Sequence, residues 1–261
     1  AQQALEGYNG ACVVIDPETG AILAMASSPT YDAGDVESIL SGGGDSSALY
    51  NRATQALYSP GSTFKIVSLT TALENNVATE QSVYSAPSTL EIGGGEVTNF
   101  NGASYGDITL ERATELSANT VFAQLGTEIG SEGLVNSSEE FGFNQEISFD
   151  LPLVTSLMPD PNEMTEWETA WASAGEPVGE YESPAGPQAT VLQMALVGCA
   201  IANDGVIMQP YLVDSVYNAE GTNSYRATPS QLYTACSSSI AERVKTVLEG
   251  VVNNGTGTAA A

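Results

Sequence analysis

A serine and a lysine three positions apart, Ser62 and Lys65, stand behind Tyr58-Ser59-Pro60-Gly61 and ahead of an apolar run. On a helix, positions i and i+3 share a face, so the hydroxyl and the amine become neighbours. A hydroxyl beside an amine that can take its proton is the geometry of a nucleophile and its base. Lys65 is one of two lysines in a chain of formal net charge −26, which argues against a merely solubilising role. To act as a base its pKa must fall by several units, and desolvation on a buried helix works in that direction. The negative charge of the chain opposes the fall, but exposed carboxylates beyond about 10 Å are screened at ordinary salt. A lone Ser-x-x-Lys arises often by chance and then reads as a helix cap beside a surface lysine. Fifty-five positions later comes Ser117-Ala118-Asn119, which alone would read as a helix-end cap.

The elements that must position these groups are mostly helical. After Lys65 the sequence is almost continuously apolar to about Glu74 and stops at Asn75-Asn76, predicting a buried helix. Thr109 is placed to cap a helix with Leu110, Ala113 and Leu116 at helical spacing, and Val121, Phe122, Leu125 and Ile129 mark another that ends at Gly130. Thr190 caps an apolar helix reaching Asn203, with Gly205 beyond. Ile240, Val244, Val247, Leu248 and Val251 form one stripe of a last helix, bounded by Ser237-Ser238-Ser239 and Gly255, with Lys245 off the stripe.

Residues 11–15 and 21–26 flank Asp16-Pro17-Glu18-Thr19-Gly20 and predict a hairpin. Both runs are nearly all apolar, so burial on both faces is expected. Residues 206–217 read as two short strands broken at Pro210, 31–48 as a surface loop, and 77–108 as irregular chain with two short strands. The proline-rich stretch 151–187 holds both tryptophans and reads as a long structured loop or lid. Trp167, Trp171 and Tyr181 are expected to pack that loop more than to line a cleft. Arg52 and Arg112 are expected to hold internal carboxylates.

At 261 residues and 42% hydrophobic content, the chain suffices for one large domain or two lobes around a divided core. Six cations against 32 carboxylates speak against nucleic-acid binding, since phosphate neutralisation needs clustered Lys and Arg. With no His and scattered Cys, the usual zinc ligands are missing, and no spaced-Asp calcium loop occurs, so no cofactor or metal is expected. Cys12, Cys199 and Cys236 form an odd set in unlike segments, which argues against a disulfide framework; Cys12 and Cys199 read as small buried residues. No run of about 18 apolar residues occurs, and the first residues lack a signal peptide's basic and apolar regions. Either the protein is cytoplasmic, or a leader or anchor lies outside this chain.

The residues around Ser62, from Asn51-Arg52-Ala53-Thr54-Gln55 to Pro60-Gly61-Ser62-Thr63-Phe64-Lys65-Ile66, closely resemble the active-site helix of the penicillin-binding protein transpeptidases. Ser117-Ala118-Asn119 looks like the family's Ser-x-Asn motif. Gly10 to Tyr31 resembles its opening hairpin, and Leu192-Gln193-Met194-Ala195 through Asn203-Asp204-Gly205 a helix ahead of its central sheet. The similarity runs nearly end to end and is closest to the monofunctional, class B members.

The resemblance implies an α/β, β-lactamase-like fold: a single transpeptidase domain over 1–261, with an antiparallel sheet lobe (about 8–50 and 200–261) packed on a mainly helical lobe (about 60–200). It implies Ser62 as nucleophile, Lys65 as its base, Ser117 as proton relay to the leaving amine, and Asn119 holding the Lys65 amine and a substrate amide. Peptidoglycan stem peptides would be the substrates and β-lactam antibiotics covalent ligands of the same serine. Cell-division or elongation proteins would be partners, and the location the extracytoplasmic membrane face, reached through an anchor outside this chain.

The family's third motif, Lys-Thr-Gly, is absent, and the sequence closes on Asn254-Gly255-Thr256-Gly257-Thr258-Ala259-Ala260-Ala261. The resemblance makes this the loop that precedes the Lys-Thr-Gly strand; Gly255-Thr256-Gly257 as a lysine-free third motif is the other reading. That strand would supply one of two oxyanion donors, and losing one costs about 10²–10³ in rate, so this polypeptide alone is expected to be impaired. Two rivals stay open: a serine β-lactamase, with Glu163, Glu166 or Glu168 as deacylating base, and a non-catalytic β-lactam sensor or scaffold domain.

Overall fold

The computed structural model describes residues 1–179 and 185–260, and it is a mixed α/β fold. Gly10–Ile15 (β1) and Ile22–Ser28 (β2) form the expected antiparallel hairpin, with a register shift between Val14 and Ile15. It is not buried on both faces: no residue of either strand is fully buried, and Val14 and Leu23 are 44% and 65% exposed. An antiparallel pair can leave one face open, and here only part of the hairpin is covered by helices. The stretch expected as a surface loop holds a short helix, Val36–Leu40 (α1), between 3-10 turns. Asn51 caps Arg52–Gln55 (α2) by accepting from the Ala53 N–H.

Lys65–Glu74 (α3) continues a 3-10 turn at Gly61–Phe64, and nearly all of it is buried, as its apolar run requires. Phe64 fixes its start by meeting Phe143 edge-on at 5.5 Å. The region expected to hold two strands holds four: Val83–Ala86 (β3), Thr89–Ile92 (β4), Gly95–Thr98 (β5) and Gly106–Thr109 (β6). β3 pairs with β6 and β4 with β5, both antiparallel. The β4–β5 turn is Gly93-Gly94, both at positive φ, the conformation a two-residue hairpin turn with the strands' own twist demands.

Thr109 caps Leu110–Glu115 (α4), accepting from the Arg112 N–H, and Asn119–Ile129 (α5) ends at Gly130. Ser131–Glu140 (α6) was not legible, since Leu134 and Val135 are its only apolar buried residues; Ser137 and Ser138 fill the remaining inward positions. Within the expected loop, Glu166–Ser173 (α7) opens on a reciprocal capping box between Thr165 and Glu168. Val191–Ala202 (α8) is capped by Thr190 as its sequence predicts.

Val206–Met208 (β7) pairs with Gln231–Thr234 (β10), and Ser215–Tyr217 (β8) with Asn223–Arg226 (β9). Ser238–Asn254 (α9) buries Ile240, Ala241, Val244 and Val247 and leaves Lys245 exposed. The β1–β2 and β7–β10 pairs thus come from the two ends of the chain, whereas β3–β6 lie inside the range assigned to helices. Every sheet among the described residues is two-stranded. One continuous core joins α3, α5, α6, α8 and α9.

Two hydrogen bonds lock α7 to the helices that carry the motifs. Ser68 Oγ of α3 donates to the Ser173 carbonyl of α7, and Ser173 Oγ donates to the carbonyls of Phe122 on α5 and of Ala170. Paired buried hydroxyls contribute; unpaired, each would cost about 1–3 kcal/mol.

Candidate active site

Ser62 lies in the first turn ahead of α3, exposed, while Lys65 three residues on is 3% exposed. The turn is held from outside. The Gly61 N–H donates to the Gly175 carbonyl (3.0 Å), and Ser59 Oγ donates to the same carbonyl and to Glu176 Oε2 (3.1 Å each). Gly175 is at φ 93, and a Cβ there would stand 1.8 Å from the Gly61 oxygen, so only glycine permits this contact.

Ser117 reaches the same point from the end of α4. Its N–H bonds the Thr114 carbonyl and the Ala118 N–H bonds the Ala113 carbonyl, a Schellman closure with Ser117 at φ 56. A glycine is the usual occupant there. A serine in the left-handed region stores strain of the kind that collects at functional positions. Asn119 follows as the first residue of α5, and its Nδ2 donates to the Thr98 carbonyl at the end of β5 (3.0 Å). Beside it the buried Asn99 donates to the carbonyls of Pro87 and Ala103 and to Thr120 Oγ1, while its Oδ1 accepts from the Thr120 N–H. The hairpin strands thereby fix the start of α5.

All four sequence-predicted residues converge. Lys65 Nζ lies 3.2 Å from Ser62 Oγ, 2.9 Å from both the carbonyl and the Oγ of Ser117, and 2.6 Å from Asn119 Oδ1. Ser117 Oγ is 2.8 Å from Ser62 Oγ. Desolvation pushes the Lys65 amine down to about 7; the Glu176 carboxylate opposes this by favouring the cation. Nζ also lies 5.3 Å from the centre of the Phe122 ring. The Ser117 carbonyl and Asn119 Oδ1 can only accept, so a neutral amine spends both its N–H groups on them. Its lone pair is then left to a hydroxyl proton of Ser62 or Ser117.

An open cleft of about 490 Å³ adjoins this cluster, with Asn119, Thr98, Phe100, Trp171 and Glu176 among its walls. Trp167 and Trp171 both donate through Nε1 to the Glu96 carbonyl (3.0 and 3.1 Å), so both pack the hairpin, and Trp171 also borders the cleft. Tyr181 lies outside the described residues. Arg112 pairs with Glu115 at 2.5 Å as expected, but Arg52 donates to the carbonyls of Ser47 and Tyr50 and makes no salt bridge among the described residues. Of the three candidate deacylating glutamates, Glu168 spends its carboxylate on the Thr165 N–H. An acidic group at the site is Glu176, three positions past the end of α7. Nothing in its sequence setting separates it from other loop carboxylates. Asn99 and Gly175 were likewise missed, since each acts through a fold contact.

Thr256 N–H bonds the Glu115 carbonyl and Gly257 N–H that of Val251, so this glycine-rich segment closes the end of α9. Cys12, Cys199 and Cys236 are free thiols; Cys199 and Cys236 are buried, and Cys12, expected buried, is partly exposed on the half-open hairpin. Among the described residues no helix is long and apolar enough to cross a membrane.

Residues 10–261 match the family described as the penicillin binding protein transpeptidase domain. The peptidoglycan D,D-transpeptidase PbpA of Mycolicibacterium smegmatis is 32% identical over 246 residues, 89% of this chain and 48% of that protein. The chain thus spans about half the length of this curated relative. The D,D-transpeptidase domain of a peptidoglycan glycosyltransferase from Eggerthella lenta superimposes with a TM-score of 0.98 at 60% identity, over 100% of this chain and 65% of that one. Penicillin-binding protein A of M. tuberculosis, as an imipenem acyl-enzyme complex, gives 0.84 at 28% identity, over 97% and 59% of the two chains.

Proposed function

The chain belongs to the penicillin-binding protein transpeptidase domain family, and from that premise we propose that it is a serine-type peptidoglycan D,D-transpeptidase domain acting through Ser62. The observation that carries this reading is the buried Lys65 amine held by two obligate acceptors beside the Ser62 hydroxyl.

In the first step Ser62 Oγ attacks the carbonyl carbon of the penultimate D-Ala of a stem peptide, and its proton passes to Lys65 Nζ. The new C–O bond leaves a tetrahedral oxyanion. The Ser62 N–H is placed to donate to it, because N–H groups in a first helical turn lack intrahelical acceptors. The C–N bond then breaks, and the proton travels through Ser117 Oγ to the departing D-Ala nitrogen. In the second step an acceptor amine attacks the ester, the C–O bond to Ser62 breaks, and the amine's proton returns to Ser62 Oγ. General acid–base assistance of this kind supplies about 10²–10⁴-fold.

β-Lactams would acylate the same serine by opening their ring. The solved imipenem and penicillin G acyl-enzyme complexes of M. tuberculosis penicillin-binding protein A support that reading for that protein. An extracytoplasmic location and division or elongation partners complete the proposal. The test is release of D-Ala from a synthetic stem peptide and its transfer to an amine, compared between the intact protein and its Ser62→Ala variant. Rapid turnover of a chromogenic cephalosporin would favour the β-lactamase reading instead, and a stable adduct with no transfer would favour the sensor reading.

A further inference from the structure

The cleft beside Asn119 has a chemistry that the acyl-transfer steps do not use. Glu176 lines it, with the rings of Trp171 and Phe100, and Phe100 is 81% exposed. The carboxylate is anchored, since its Oε2 accepts from Ser59 Oγ and its backbone N–H donates to the Trp171 carbonyl. No Lys or Arg closes a salt bridge on it among the described residues. Lys65 is the cation that feels its field, and burial favours that amine's neutral form. A fixed carboxylate with two aromatic rings in one concave wall selects an alkylammonium: the charge pairs with the carboxylate, and ring faces attract cations through their quadrupole. An anionic group would meet repulsion there.

We propose that Glu176, with Trp171 and Phe100, forms a recognition subsite for a cationic side chain of a stem peptide, which makes Glu176 a specificity-determining residue. The inference rests on the transpeptidase reading, because it supposes that the ligand is a stem peptide acylating Ser62. Asn119 belongs both to the cluster around Lys65 and to the cleft wall. A chain held at Ser62 therefore passes the cleft within a residue or two of its reacting carbonyl. The ammonium is bound and not consumed, so no covalent step is added. Its source is either the side chain of the donor stem or the amine of the acceptor stem, and both present the same group.

The experiment uses the intact protein and two donors, Nα-acetyl-L-Lys-D-Ala-D-Ala and its Nε-acetylated counterpart, with D-Ala release as readout. An exposed carboxylate–ammonium pair and two cation–π contacts together predict a preference of about 5–30-fold in kcat/KM for the free amine. Glu176→Gln should bring that ratio close to one, and Glu176→Asp should restore part of it. In a second arm, acyl-enzyme formed from the Nε-acetylated donor is challenged with a diamine acceptor and with its mono-acetylated form at equal reacting amine. Collapse of the ratio in the first arm assigns the subsite to the donor, and collapse in the second to the acceptor; either supports the proposal. A Glu176→Gln variant that slows charged and acetylated substrates equally, leaving both ratios as in the parent, overturns it and leaves Glu176 a structural clamp on the Ser59 turn. Acylation of Ser62 by benzylpenicillin, run alongside, separates the two claims: its absence in folded protein sinks the transpeptidase reading, whereas its presence without amine discrimination sinks only the subsite.

Discussion

Asn119 Oδ1 stands 2.6 Å from Lys65 Nζ and joins the first residue of α5 to the first residue of α3. The contact takes one of the two N–H groups a neutral amine can offer and so fixes which way the lone pair points. Asn119→Asp keeps the shape and adds a negative charge that favours the ammonium. The Lys65 amine, at about 7, predicts a rise of the parent's benzylpenicillin acylation around that pH, and the variant's should rise only at higher pH. Stopped-flow acylation between pH 5 and 10 checks the shift.

Lys65 also leaves a signature in stability. Its folded pKa, about 7, lies below the ordinary 10.5, so between those values the unfolded chain holds a proton that the folded one lacks. Stability contributed by this group then rises as pH climbs from about 7 to about 10.5, and is absent below 7 where both states are protonated. The Cys199 and Cys236 thiols, pushed up to about 11 by burial, act oppositely from about 9 upward. They are common to the parent and to Lys65→Met, so they cancel in the difference. Urea unfolding of both proteins at pH 7 and pH 9 should show the parent gaining relative to Lys65→Met at the higher pH.

Gly175→Ala should damage site and fold together. The added methyl would meet the Gly61 oxygen at 1.8 Å, at a φ of 93 that alanine resists. A loss of more than about 2 kcal/mol follows from the strain and the broken backbone contact. Displacement of the Ser62 turn by about 1 Å can cost about 10²-fold in acylation. Thermal unfolding, and acylation measured well below the midpoint, report the two effects separately.

Arg243→Met is the contrasting case. Its guanidinium grips Glu80 through two bonds of 2.7 and 2.8 Å, but both side chains are partly exposed. Solvent screening limits the loss to about 1 kcal/mol or less, and benzylpenicillin acylation should stay at the parent rate. A larger loss in urea unfolding would mean that α9 depends on this pair to hold its place.

The helices that carry the site could be read from the chain because their signals are local. Thr109 and Thr190 cap where capping residues should, and the run after Lys65 is apolar on every side because α3 is surrounded. Ser62 and Lys65 stood out as polar groups ahead of such a run, whereas Ser117 and Asn119, alone a helix-end cap, were marked by the family resemblance. The strands β3–β6 did not stand out, since each is four residues long and β3 pairs with β6 across the intervening β4–β5 hairpin. The β1–β2 hairpin was read as doubly buried because apolar composition cannot tell which face finds a partner. Glu176 and Gly175 matter only through what α7 brings against the Ser62 turn, a relation between segments more than 100 positions apart.

The central claim is that Ser62 is the nucleophile. Intact-mass spectrometry after incubation with benzylpenicillin, followed by peptide mapping, tests it directly. Ring opening adds the whole antibiotic with no leaving group, so one full-mass adduct on the peptide containing Ser62 is expected, and none in Ser62→Ala. An adduct on another residue, one that survives Ser62→Ala, or none at all in the folded intact protein would contradict the assignment.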